Sequence, residues 1–501
     1  MENELEQLGL LIDQAADEQS IDKLDQAIDK CQQLLSVDAS VGCRSILHYF
    51  LANAWSGKRL TLRVGDDAWA WEQPELEKEI LNLRKALLFS EQESIPTEYV
   101  CQILTNLGNA LSYVGRSVEA VEYWNRALKI IPEFPMALGN RGYGIYHYAR
   151  FLHDQGHLSL FLKEAHKDFS LALRFELYPE AEQGFRELMS NIETFLQSDF
   201  LQEELDLNDF PLGNSTEEIA YRRWCVKQTL FINPLNDLGA YSIASADVLH
   251  LPDIVVPLGE GPYYAGFFNQ LKQEFVSARF LLYEGLHSDE VHYSDRDVTL
   301  VNTLDYPLYS LAIEKVKFAF RVAYSLFDKI AFFLNHYVDL EVPDKKISFK
   351  TIWYEKCNRD KGINSKVETL KNNALRGLFW LSKDLSEKRE GFVDAIEPDA
   401  QEIELLRQHA EHRYLKIHDS FFSPDYKDNA ERFGLADTLA KSISRDNFGE
   451  KALRMMRLAR ASLIYLCLVI QSEEERRAKE RSSDKPVMPM RLSTWEDDWK
   501  R

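Results

Sequence analysis

The stretch LLRQHAEHRY, Leu405 to Tyr414, places Arg407, Gln408, Glu411 and His412 within a few residues of one another. Their four group types are the ones that grip a phosphate bidentately, orient it by hydrogen bonding and move a proton near neutral pH. On a wheel of 100° per residue with Arg407 at the origin, Glu411 falls at about 40°, Gln408 at about 100° and His412 at about 140°. Ile403, Leu406, Ala410 and Ile417 occupy the opposite arc, between about 260° and 320°. An amphipathic helix is expected that buries this second arc and presents the four polar groups from the first. His409 and Arg413 lie outside the polar arc, and Arg413 is a flanking candidate for phosphate contact.

The plainest account of such a face is contact with solvent, where charges on an amphipathic helix usually go. Metal binding through His409, Glu411 and His412 is a poorer account, because HAEH matches neither HExxH nor HxxEH. No metal and no cofactor is therefore expected.

A second polar stripe lies on the apolar segment LAIEKVKFAFRVAYSLFDKIAFFLN. Glu314, Lys317, Arg321, Tyr324, Ser325, Asp328 and Asn335 share a sector of about 100° on that helix. Charges aligned on so apolar a helix are costly unless they meet water or partners, so the stripe either lines a wet cleft or faces solvent. Lys317, Arg321 and Tyr324 are candidates for ligand contact from that stripe. Lys451, Arg454, Arg457 and Arg460 recur every third residue and drift around their helix, which suits a solvated surface or, less well, an RNA backbone guide.

The elements that must position these groups can be sketched from composition and periodicity. The chain has 501 residues, 45% hydrophobic and 12% aromatic, too long for one ordinary domain. Its six cysteines form no CxxC pair and no disulfide framework, and read as reduced thiols. The acidic start MENELEQLGLLIDQAADEQS lacks the features of a secretory signal. The longest apolar run, ASLIYLCLVI, falls well short of the ~20 residues needed to span a membrane. A cytoplasmic protein without a membrane partner is expected. The net charge of −21 weighs against nucleic acid, but most of the acidic excess lies in residues 1–214, and the remainder is close to neutral.

The N-terminal part is repetitive. NLGNALSYVGRSVEAVEYWNRALKIIPEF carries Leu107, Gly108, Leu111, Ala120, Trp124, Ala127 and Pro132 at tetratricopeptide spacing. A second copy begins at LGNRGYGIYHYARF and continues through Ala165, Phe169 and Ala172, and a degenerate copy lies upstream around FLANAW and ILNLRKALLF. A helical solenoid over residues 1–200, a linker over 201–216, a helical domain over 217–480 and a tail over 481–501 are expected, an all-α architecture. Helices are expected over Asp399 to Phe421 and Leu435 to Ile443, among others. Gly259 and Gly261 complete no dinucleotide fingerprint and there is no GxxxxGK[ST], so a P-loop enzyme is not expected.

Arg407 and His412 form R-x4-H on a helix, followed by RYLKIHDSF. With YRRWCVKQTLFINPLNDL, ARFLLYEGL and LDYPLYSLAIEKVKFAFRVAYSLFDKIAFFLN in order before it, this resembles the HEPN superfamily (higher eukaryotes and prokaryotes nucleotide-binding), in its bacterial branch where a helical repeat precedes the HEPN domain. The resemblance covers about residues 215–470. It implies a homodimer with two R-x4-H helices facing across a cleft, and metal-independent cutting of tRNA or other cellular RNA. His412 then works on the 2′-hydroxyl proton and Arg407 on the phosphate, with Gln408 positioning and Glu411 orienting the Arg or the His. The same resemblance implies a stress or anti-phage toxin held in check until a protein or phage-derived trigger meets the repeat. A non-catalytic scaffold that binds a protein partner and nucleotide or RNA is the alternative, favoured by Gln408, where many relatives carry Asn or another small polar residue, and by the acidic N-terminal part.

Overall fold

The computed structural model describes residues 2–37, 40–386, 400–419, 437, 439–481, 487–490 and 492–500. Among them the chain is all-α apart from one pair of short strands. Helices α1 (Glu2–Asp17), α2 (Ile21–Ser36), α3 (Val41–Leu62), α4 (Pro74–Gln92), α5 (Thr97–Tyr113), α6 (Ser117–Ile130), α7 (Pro135–Ala149), α8 (Gln155–Ala172) and α9 (Pro179–Phe195) follow one another through short connections. Sequential pairs pack together, α3 on α4, α5 on α6 and α7 on α8. The repeat spacing has a steric cause. Trp124 of α6 is buried between two helical glycines, where a Cβ on Gly108 would lie 2.5 Å from its Nε1 and one on Gly144 would lie 2.2 Å from its ring. Its indole N–H donates to the carbonyl of Thr105 at 3.2 Å.

Then come α10 (Ser198–Gln202), α11 (Thr216–Lys227), α12 (Leu235–Leu238), α13 (Tyr263–His287), α14 (Leu311–Tyr337), α15 (Ser365–Glu368), α16 (Asn373–Ser386), α17 (Ala400–His412) and α18 (Arg445–Glu480). Helices α13, α14 and α16 pack on α18. The apolar run Ala461 to Ile470 is buried on every side of α18, so it forms the centre of this core. Among the described residues no helix is long and apolar enough to cross a membrane.

Two expected helices are corrected. The helix over Asp399 to Phe421 ends at His412, and strand β1 (Tyr414–His418) follows; the segment Leu435 to Ile443 runs into β2 (Ala440–Ser444). Residues 399, 420–421, 435–436 and 438 of these segments lie outside the described residues. The strands pair in parallel, Tyr414 opposite Ala440 and Ile417 opposite Ile443. Three successive residues of β1, Leu415, Lys416 and Ile417, are buried, so both faces are covered and the usual alternation is missing. Ile417 shares the helical arc of Ile403, Leu406 and Ala410, and that shared arc is what made the segment resemble an extension of the helix.

The basic series on α18 is also corrected. It is neither a solvated surface nor an RNA guide. Lys451 pairs with Glu402 at 2.9 Å, Arg454 with Glu122 at 3.0 Å and Arg460 with Asp237 at 2.6 Å, while Arg457 donates to the Gln228 carbonyl at 2.9 Å. A three-residue step rotates by about −60° on a helix, so each side chain meets a different neighbour. The series ties α18 to α17, to α6 and to the segments around α11 and α12.

A second junction joins α4, α5 and α6 to α16. The loop between α5 and α6 meets α16 backbone to backbone: a Cβ on Gly115, whose φ is +87°, would lie 1.9 Å from the Asn373 carbonyl oxygen, and one on Gly377 would lie 2.4 Å from that of Gly115. Asp384 is buried between Arg84, 2.6 Å away, and Arg116. Tyr465 of α18 hydrogen-bonds Glu119, and Lys383 pairs with Glu77. Gly377→Ala is expected to overpack this contact and destabilise the protein by about 1–3 kcal/mol, read as a lower urea midpoint at unchanged slope. At the C-terminal end Trp495 and Trp499 face each other at 6.3 Å, both exposed.

Candidate active site

Helix α17 buries Ile403 and Leu406, which anchor it to the core, while Glu402 reaches Lys451 of α18 and, at 3.7 Å, Lys441 of β2. The polar arc divides: its Arg407 edge packs against α14, and its His412 edge opens outward. Arg407 is half-buried. Its guanidinium lies over the Tyr324 ring of α14, 4.4 Å from the centroid, and its Nε donates to Glu411 Oε2 at 3.1 Å. Burial works against the guanidinium charge, but Tyr324, Glu411 and Asp328 outweigh it and hold the group above its usual range. Burial also pushes the Tyr324 hydroxyl upward, so the ring meets Arg407 as a neutral phenol.

Glu411 stands between the other two groups. The same Oε2 that accepts from Arg407 lies 3.5 Å from His412 Nε2. The His412 side chain is 73% exposed at the last position of α17. A cation held rigidly on an aromatic ring, a carboxylate joined to it, and an imidazole open to an incoming molecule thus sit on one turn of helix. Gln408 donates to Glu404 at 3.4 Å, which turns its amide along the helix rather than toward His412. His409 is tied to the Leu405 carbonyl at 2.8 Å, and Arg413 is exposed.

The stripe on α14 divides. Chain entry into α14 is fixed beside β1, because Leu308 N–H donates to the Ile417 carbonyl at 2.7 Å, and α17 exits directly into β1. The two helices therefore run antiparallel, with Arg321 and Lys317 on the His412 side of Tyr324. Lys317 is engaged by Glu314 at 2.8 Å, and Arg321 rests near the Phe318 ring with no ion pair among the described residues. Asp328 and Asn335 depart from the expected cleft or solvent face. Asp328 accepts from Phe349 N–H, and buried Asn335 both donates to and accepts from the Val342 backbone. Both pin the loop after α14, which periodicity on one helix has no means of revealing. Missed altogether by sequence reasoning was Lys416, buried between Asp305 at 2.6 Å and Asp437 at 2.7 Å. Its only trace was a lysine between two apolar residues of a strand.

Residues 255–473 match the family described as LA2681-like HEPN, a stretch that starts later than the resemblance of the motifs and contains α13, α14, α16, α17 and both strands. No curated protein and no solved structure matches the chain.

Proposed function

From the premise that residues 255–473 are a HEPN domain, a class whose members are often ribonucleases, we propose that this protein is an endoribonuclease that cuts RNA by attack of a 2′-hydroxyl on its own phosphate. The observation that carries the proposal is the Arg407–Glu411–His412 turn, with its guanidinium fixed on Tyr324 and its imidazole exposed. His412 accepts the 2′-hydroxyl proton, the O2′–P bond forms, and the P–O5′ bond breaks. The departing 5′-oxygen takes a proton from solvent or from the second imidazole that a homodimer would bring. Arg407 stabilises the charge that grows on the phosphate oxygens, and Glu411 orients both partners. Gln408 positions the phosphate once released from Glu404, and Arg321, Lys317 and Arg413 extend the positive edge of the site. The repeat helices, tied to α16 and α18, are the natural seat of control by a stress- or phage-derived trigger.

The experiment is incubation of the full-length protein with total bacterial RNA in EDTA, with product ends mapped. Cleavage leaving 2′,3′-cyclic phosphate and 5′-hydroxyl ends is expected. Products bearing 5′-phosphates would demand an attacking water and contradict this chemistry.

A further inference from the structure

The Arg407–Glu411–His412 turn can hold a phosphate and move a proton, yet it offers nothing to a base. Two tyrosines beside it do. Tyr414 is the second residue after His412, and two residues span at most about 7 Å. Tyr309, in the segment leading into α14, faces it with the two hydroxyls 3.4 Å apart. Both are fixed by backbone. Tyr414 opens β1 in register with Ala440, and Tyr309 follows Leu308, which is bonded to Ile417, and Pro307, which bridges to His418. Lys416 holds its ammonium over the Tyr414 ring, 5.2 Å from the centroid, and its two aspartates keep it from swinging out. Even so the rings stay open, Tyr309 at 49% and Tyr414 at 37% exposure. Aromatic side chains clamped by a sheet but left exposed are suited to stacking on bases, which present a π-face whatever their identity.

We propose that Tyr309 and Tyr414 form the stacking platform for an unpaired base next to the scissile phosphate, so that the substrate is single-stranded RNA or the loop of a folded RNA. This rests on the ribonuclease assignment above. Exposed Val301 and Leu304 in the same segment make a second copy of the chain the competing occupant.

The test uses full-length His412→Ala protein as the binding form, alone and with Tyr309→Ala, Tyr414→Ala, Tyr309→Phe or Tyr414→Phe. Fluorescence anisotropy is read with a labelled single strand of mixed sequence and with the same strand annealed to its complement. Each alanine change is expected to weaken single-strand binding about tenfold or more, each phenylalanine change to leave it nearly intact, and the duplex to bind more weakly throughout. In the His412-containing protein the alanine variants should raise KM with little change in kcat. Alanine variants that bind and cut like their parents would overturn the platform. So would variants whose sedimentation shifts toward monomer at unchanged RNA affinity, which would give the surface to a second copy. If the parent neither binds nor cuts any RNA, the ribonuclease assignment itself falls and the platform with it.

Discussion

His412→Ala is expected to lower the rate of RNA cleavage by about 10²–10⁴-fold while leaving folding and subunit association unchanged. The reason is geometric. The imidazole is 73% exposed, and its one ion-pair contact among the described residues is Glu411 at 3.5 Å, so its removal opens no cavity and strands no buried partner. Arg407→Lys separates two properties of its neighbour. A lysine keeps the charge but loses the flat fork that both stacks on Tyr324 and grips a phosphate through two donors. It should therefore cut nearly as slowly as an Arg407→Ala variant rather than like the native protein. The measurement is single-turnover cleavage of total RNA beside thermal melting and sedimentation of the same samples. Undiminished cutting by His412→Ala would remove this residue from the mechanism, and equal loss of melting temperature and activity would reassign it to structure.

The second large effect belongs to the junction. Asp384→Asn should destabilise the protein by about 3–5 kcal/mol, because the buried guanidinium of Arg84 loses the carboxylate it grips through two nitrogens, while Arg116 keeps Glu119. Burial alone would raise the Asp384 pKa, but those two cations overcome it and hold the group at about 2. A carboxylate depressed in the folded state contributes stability that is present above its unfolded value near 4 and is lost as pH falls toward 2. The native protein should accordingly lose stability over that acid window, and Asp384→Asn should lack this part of the loss. Urea unfolding at a series of pH values reads both effects. An asparagine variant of native stability would mean that the cations find other partners. Because Asp384 sits on α16 against the loop between α5 and α6, its loss should also loosen α4 to α6 from α16. Limited proteolysis between the two would report that.

How much of this was legible beforehand depended on how local the cause was. The 100° periodicity of residues 403–412 showed that Ile403 and Leu406 go inward and that Arg407, Glu411 and His412 share another side of the helix, since side-chain direction on a helix follows from spacing alone. The small residues at repeat spacing likewise foretold helical hairpins, because Gly108 and Trp124 cannot both be accommodated unless the helices touch there. The order of motifs pointed to the same family that residues 255–473 match.

The tertiary structure alone decided the fates of side chains whose partners are far away in sequence. Arg460 reads as a surface cation until Asp237, 223 residues earlier, is brought to 2.6 Å, and Asn335 reads as part of a polar stripe until the Val342 backbone folds over it. Lys416 and Tyr414 fell within an expected helix, because Ile417 continues the arc of Ile403, Leu406 and Ala410, and only the pairing of Tyr414–His418 with Ala440–Ser444 makes the stretch a strand. Periodicity records which way a side chain points from its own element. Whether it then meets water, a carboxylate or a ring depends on the packing of other elements, and for Arg407 that packing supplied the Tyr324 face.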